Sequence, residues 1–228
     1  MSSGNDNVAI IPEVPTAIRI LSNGPIYFGT VVRNSQPSNE PVALTTAKTH
    51  CRIDVTNTDE DALITLMMKA ARKFCEGILR RAIVASTFTL TLDLIPNYNQ
   101  EIVLPYPPLI SLDTATIHLK TGDQTLDPDV DFDVDLENGK VKLNREWYNH
   151  SPDLTPDLLK GFGAFELNYT AGMAVDGRNP DVDETIQLAI LMIVGHWYDH
   201  RDSITENRWM TEVPQGAMAL LQQNRIFF

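Results

Sequence analysis

The hydrophobic period of this chain changes twice. Over residues 58–81 apolar side chains recur every three or four positions. Over residues 86–170 they alternate in short runs, and from residue 180 the helical spacing returns. A period of 3.6 buries one stripe of a helix, whereas a period of 2 buries one face of a strand. The sequence therefore predicts an α+β fold, in which N-terminal and C-terminal helices form a helical bundle that brackets an antiparallel β region. By these boundaries, residues 1–41 are an N-terminal extension, 42–84 and 180–228 make a helical core, and 85–179 are an inserted β region.

Local signals refine that outline. In "LTTAKTHCRID" Thr45 is placed to cap a short helix. Thr58 and Asp61 have the spacing of a capping box, with Leu63, Leu66, Met67, Ala70, Phe74 and Ile78 as the expected buried stripe of about six turns. "STFTLTLDLI", "EIVL", "TATIHL", "DFDVDL", "KVKL" and "AFELNY" read as strands. Asn138-Gly139 suits a tight type I′ hairpin, and "LPYPPL" reads as an extended connector because each proline removes a ladder donor. Asp181 and Glu184 are placed to cap the next long helix, whose stripe is Ile186, Ile190, Ile193 and Trp197 with Ala189 and Val194 beside it. "GAMALLQQNR" supplies a last short helix before the apolar end "IFF". In the first 41 residues, "AIRILSNGPIYFGTVV" is expected to pair as strands around Asn23-Gly24.

Charge narrows the function. Among 228 residues, 18 Lys and Arg stand against 30 Asp and Glu, for a formal charge of −12. Gripping DNA through its phosphates requires clustered cations, which this sequence lacks, although an acidic surface past which DNA slides is compatible with it. The expectation is a cytosolic, soluble chain: it lacks a signal-peptide pattern, and its apolar runs fall short of the ~20 residues a spanning helix needs. Cys51 and Cys75 have no CxxC spacing and read as reduced thiols.

Three motifs invite chemistry. His196 and His200 are four apart on a helix, the spacing of HExxH zinc sites, but Trp197 stands where the Glu belongs and no third ligand has a recognisable spacing. The competing reading is a helix end in which Trp197 and His200 continue a buried stripe while Asp199, Arg201 and Asp202 form local ion pairs. Asp129, Asp131 and Asp133 imitate the start of an EF-hand loop, yet Val134 replaces the required Gly and Lys140 the required Glu. Alternation instead puts Asp131, Asp133 and Asp135 on one strand face and Phe132, Val134 and Leu136 on the other. Gly161 and Gly163 follow no strand-to-helix pattern and make no dinucleotide loop. The sequence nominates no catalytic residue, no metal ligand and no cofactor, so an enzyme is not expected.

From Leu44 to Arg225 the chain resembles the head-tail connector (adaptor) proteins of tailed bacteriophages and gene transfer agents. The resemblance is carried by "LTTAKTHCRID…DEDALI", by "LPYPPLISLDTATIHLKTGDQTLDPDVDFDVDLENGKVKL", by "LNYTAGM" and by "HWYDHRDSI…VPQGAMALLQQNR" in that order. It implies a structural virion protein of the neck: a ring of about twelve copies bound to the portal, extending the DNA channel and offering a face to the next neck or tail protein. DNA would pass without specific binding. No membrane partner is implied, and the location would be the virion neck, reached from the host cytoplasm during assembly. The family docks its C-terminal segment on the portal, which nominates Arg225, Ile226, Phe227 and Phe228. An apolar end of this kind also suits a partner on general grounds. "HWYDHRDSI" is implied to be a structural helix end. Residues 1–41 have no counterpart in the typical connector, so contact with neighbouring capsid, portal or tail proteins is the expectation for them. The alternatives are another neck component, such as a stopper or tail-completion protein, and a metal-dependent enzyme using His196 and His200.

Overall fold

The computed structural model describes residues 29–37, 39–97, 100–150, 158–173, 182–201 and 214–225. It is α+β, and the strands of both sheets pair antiparallel, with one isolated parallel bridge between Arg81 and Tyr106. A five-stranded sheet has the order β1-β2-β8-β4-β5, formed by β1 (Gly29–Arg33), β2 (Ser86–Leu92), β8 (Phe165–Ala171), β4 (Leu109–Leu119) and β5 (Gly122–Leu126). A three-stranded sheet has the order β3-β7-β6, formed by β3 (Ile102–Val103), β7 (Lys140–Leu143) and β6 (Phe132–Asp135). The helices are α1 (Leu44–His50), α2 (Asp61–Leu79), the single turn α3 (Pro128–Asp131), α4 (Arg145–His150), α5 (Glu184–Asp199) and α6 (Gln215–Gln223).

Two apolar cores result. One lies under the sheets, where β2 and β8 alternate buried and half-buried residues without a break. That strict alternation is what one covered sheet face demands. Phe88 stacks on Tyr106 and Tyr169 in this core, at ring-centre distances of 5.2 and 5.5 Å. The other core joins α1, α2, α5 and α6, with Ile83 and Val84 reaching in from the segment before β2. Ile186, Ala189, Ile190, Ile193 and Val194 of α5 are all buried there, each large one contributing roughly 1.5–3 kcal/mol relative to exposure. The Asp183 side chain caps α5 by accepting from the Thr185 amide at 2.7 Å, so the cap lies between the two residues that the sequence nominates.

The buried stripe of α2 is displaced by one residue from expectation. Ile64, Met68, Ala71, Cys75 and Leu79 are buried, while Met67, Phe74 and Ile78 flank them and Leu66 is 64% exposed. The sequence offers two apolar stripes side by side, and periodicity alone does not choose between them. The helix also starts later than the capping box implies: Glu60 is the N-cap, and its side chain accepts no capping hydrogen bond. Asp61 pairs instead with Lys48 at 2.7 Å. Thr45 likewise lies inside α1 rather than capping it, because Ala43 holds the N-cap position.

Other turns depart from the expected types. β6 and β7 are joined through four residues rather than a two-residue I′ turn, since Asp135 pairs with Lys140 and, of the loop residues, Gly139 has positive φ. Asp135 closes that loop by accepting from the Asn138 amide and side chain. "LPYPPL" is not extended throughout: Tyr106 has φ +63° and the Pro107–Pro108 bond is cis. β1 is an integral edge strand paired with β2, and Asn34 and Ser35 continue to hydrogen-bond that strand, so residues 29–35 are stitched into the sheet. The expected turn at Asn23-Gly24 lies outside the described residues.

Candidate functional site

The end of α5 draws together the residues with the most chemical potential. The rings of His196 and His200 lie 4.7 Å apart, and His200 Nδ1 sits 3.0 Å from the His196 carbonyl at the helix C-cap. His50, at the end of α1, packs against Gly195 so closely that a Cβ there would stand 2.9 Å from Nε2. His50 thus lies against the same end of α5 that carries the His196–His200 pair. Even so, among the described residues no group of three or more His, Cys, Asp or Glu side chains is arranged to hold a metal ion.

What this corner holds instead is the junction of two helices. Arg201 pairs with Glu60 at 2.8 Å and lies over the Tyr198 ring at 4.2 Å, while the Tyr198 hydroxyl donates to the same Glu60 carboxylate. The hydrogen bond from Arg201 holds the Glu60 carboxyl below its ordinary range, and the bond to Glu60 pushes the Tyr198 phenol up. Trp197 is half-buried, edge-on to Phe74 at 6.5 Å. The ion pair of Arg201 is therefore not a local one: it crosses from the end of α5 to the start of α2. Asp202 lies outside the described residues.

Neither cysteine is prepared for nucleophilic work. Burial, and secondarily Asp199, raise the Cys51 thiol, and burial pushes Cys75 up to about 12. Thiols held protonated in this way are poor nucleophiles.

The acidic stretch is a surface. Asp129, Asp133, Asp135 and Glu137 are exposed on or beside β6, which is an edge strand of its sheet. The opposite strand face is only partly covered: Phe132 is buried, but Val134 and Leu136 are exposed. Asp133 makes an exposed pair with Lys142 at 3.3 Å.

The nominated C-terminal segment is described as far as Arg225, which is half-buried; Ile226, Phe227 and Phe228 lie outside the described residues. α6 seats Ala217 and Leu221 fully in the helical core, and Asn224 Nδ2 donates to Thr185 Oγ1 at 2.8 Å. The end of the described chain is thereby anchored beside the start of α5.

A buried ionic network escaped the sequence reading. Arg72, 1% exposed, donates to Glu40 at 2.8 Å and to Glu76 at 3.0 Å, and Glu76 also receives Arg33 at 2.9 Å and the Ile83 amide at 3.1 Å. Two guanidinium groups and two carboxylates balance one another, as buried charge requires. The available signal was Arg72 and Glu76 four apart, next to the apolar positions Ala71 and Cys75 on the inner side of α2. Lys48 is similar: 2% exposed, it donates to the Val55 and Asn57 carbonyls and forms an ion pair with Asp61.

No protein-family model and no curated protein matches the sequence. Solved structures do match the fold. A chain in the neck of an empty GTA particle, determined with C6 symmetry, aligns at TM-score 0.65 and 16% identity, covering 87% of this chain and 96% of its own. A chain in the virion of a native gene transfer agent (GTA) particle aligns at TM-score 0.64, 16% identity and the same coverage. A chain in the neck of a native GTA particle, determined with C12 symmetry, aligns at 0.61 and 17%. Among the described residues no helix is long and apolar enough to cross a membrane.

Proposed function

We propose that this chain is a structural neck protein of a phage-like particle, a head-tail connector (adaptor) that binds the portal as a ring of about twelve copies. The observation that carries this reading is the shared fold with GTA neck chains over nearly the whole of both partners. The helices form the connector core, a bundle bracketing the inserted β region. The acidic balance, −12 overall, suits a channel along which DNA passes without being held. The ion pairs described above act as ties within the fold, and the proposed role is structural. Arg225, Ile226, Phe227 and Phe228 dock on the portal, the free face receives the next neck or tail protein, and residues 1–41 add contacts to neighbouring particle proteins. Assembly takes place in the host cytoplasm and ends at the virion neck.

Native mass spectrometry of the full chain, alone and with the portal encoded beside it, tests this. The expected result is a metal-free protein adding about twelve copies to the portal. Binding only to later neck or tail components would instead favour a stopper or tail-completion role. A metal-loaded species indifferent to the portal would overturn the reading in favour of His196 and His200.

A further inference from the structure

We propose that the outer stripe of α2 and the acidic edge strand β6 are the two halves of one interface between successive copies of this chain. The inference rests on the ring reading above and names the surfaces that would close the ring.

On α2, residues 62, 66, 69, 70 and 73 are all exposed and fall on one helix face at spacings of four, three, one and three. That face is apolar and cationic: Leu66 is 64% exposed between Ala62 and Ala70, with Lys69 and Lys73 alongside. It is one apolar stripe more than the helical core uses, since Ile64, Met68, Ala71, Cys75 and Leu79 already fill that core. A Leu this exposed on a regular helix, flanked by cations in a chain with only 18 Lys and Arg, presents both a buried-contact element and a sign.

The complementary element is on the same chain. β6 and the residues beside it expose Val130 at 65% and Leu136 at 47%, interleaved with Asp129, Asp133 and Glu137. Apolar meets apolar and lysine meets carboxylate when one copy offers α2 and the next offers β6. The Asp133–Lys142 pair is about half exposed at both ends and contributes little to hold Asp133 back. α2 belongs to the helical core, whereas Phe132 of β6 belongs to the sheet core, so the two surfaces form distinct patches. A contact between different patches is head-to-tail, and such a contact gives a ring when its rotation closes.

The test is a charge swap in the full-length protein, read by analytical ultracentrifugation at rising concentration. The wild type is expected to self-associate. Lys69→Glu with Lys73→Glu makes both patches acidic, and Asp129→Lys with Asp133→Lys and Glu137→Lys makes both basic, leaving Asp135 as the one acidic residue of the four exposed on and beside β6. Each variant alone is expected to associate on the order of tenfold more weakly, because like charges then face each other. An equimolar mixture is expected to recover association, since every alternating junction is again complementary. All five positions are exposed, so an unchanged denaturation midpoint verifies the fold of each variant. A wild type that stays monomeric, a variant that associates normally, or a mixture that fails to recover would overturn the proposal. Portal binding is scored separately. Self-association through these faces without portal binding sinks the connector reading alone, while twelvefold portal loading that ignores both swaps sinks this inference alone.

Discussion

Arg33 of the edge strand β1 meets Glu76 of helix α2 at 2.9 Å, and both side chains are largely shielded from water. β1 belongs to the five-stranded sheet and α2 to the helical core, so this contact ties the two halves of the molecule. Arg33 also lies over the Phe88 and Tyr106 rings, at 5.0 and 5.9 Å, placing the charge between an aromatic stack and a carboxylate. Cation–π contact and ion pairing thus act on the same guanidinium.

Glu76→Ala should be strongly destabilising. It leaves Arg72 with one of its two carboxylates, strips Arg33 of its ion pair and removes the acceptor of the Ile83 amide. Breaking a buried pair by deleting one partner costs about 3–5 kcal/mol. Urea denaturation of the wild type and variant measures this, and a loss below about 1 kcal/mol would mean that the network is solvated in solution.

Gly172 is the glycine of "LNYTAGM", where the chain leaves β8. A Cβ at this position would stand 2.5 Å from the Ala85 amide nitrogen and 2.7 Å from the Val84 carbonyl carbon. Neither backbone atom can move as a flexible side chain would. The close approach is held by the Gly172 amide donating to Pro108 and the Met173 amide donating to Ala82. Gly172→Ala should therefore cost about 3 kcal/mol or more, at the upper end of overpacking effects. A thermal midpoint within a degree or two of wild type would contradict the geometry.

Tyr169 of the same motif is buried against Phe88, and its hydroxyl donates to the Pro105 carbonyl at 3.0 Å. Tyr169→Phe keeps the ring and removes one hydrogen bond, for an expected loss of about 1 kcal/mol. Tyr169→Ala also opens a cavity and should cost about 3–5 kcal/mol. Comparing the two by chemical denaturation separates bond from packing; equal losses would refute the division.

The strands were legible because one covered face imposes strict alternation: "STFTLTL" reads directly as the buried and half-buried pattern of β2. β5 was missed because "GDQTL" buries only Leu126, leaving no alternation to detect. The stripe of α2 was misplaced by one residue because Leu63, Leu66 and Ala70 are as apolar as the residues that are buried. Packing against α5 decides between them, and that choice is tertiary. The role of the α5 terminus was partly legible: His196 and His200 share a face as four-residue spacing requires, but the partner of Arg201 is Glu60, 141 positions away in sequence, which no local pattern reports. For the buried Arg72 only the spacing to Glu76 was local, since its other partner Glu40 comes from the segment that composition sets apart as an extension.

Stability should fall on the alkaline side before the tyrosines titrate. Burial pushes Cys75 up to about 12, above its unfolded value, so its stabilisation is complete below the unfolded pKa of about 8.5 and is lost as pH rises toward 12. In that window the loss approaches about 1.4 kcal/mol per pH unit. Cys51 is raised by burial too and acts with the same sign. Cys75→Ala should flatten the dependence between pH 9 and pH 10 while leaving the part due to Cys51. An unchanged slope in urea titrations at those two pH values would show that Cys75 is not buried in solution.

Truncation after Asn224 separates the fold from the segment proposed to dock on the portal. Asn224 still belongs to the body, because its side chain donates to Thr185 at the start of α5, and Leu221 before it is fully buried. Removing Arg225, Ile226, Phe227 and Phe228 should leave the denaturation midpoint nearly unchanged, whereas stopping before Leu221 removes a core side chain and should cost about 2–5 kcal/mol. If the four residues dock on the portal, the truncation after Asn224 loses portal binding while remaining folded. Retained binding would move the docking surface elsewhere on the chain. Joint loss of stability and binding on removing the four residues would mean that the segment serves the helical core itself.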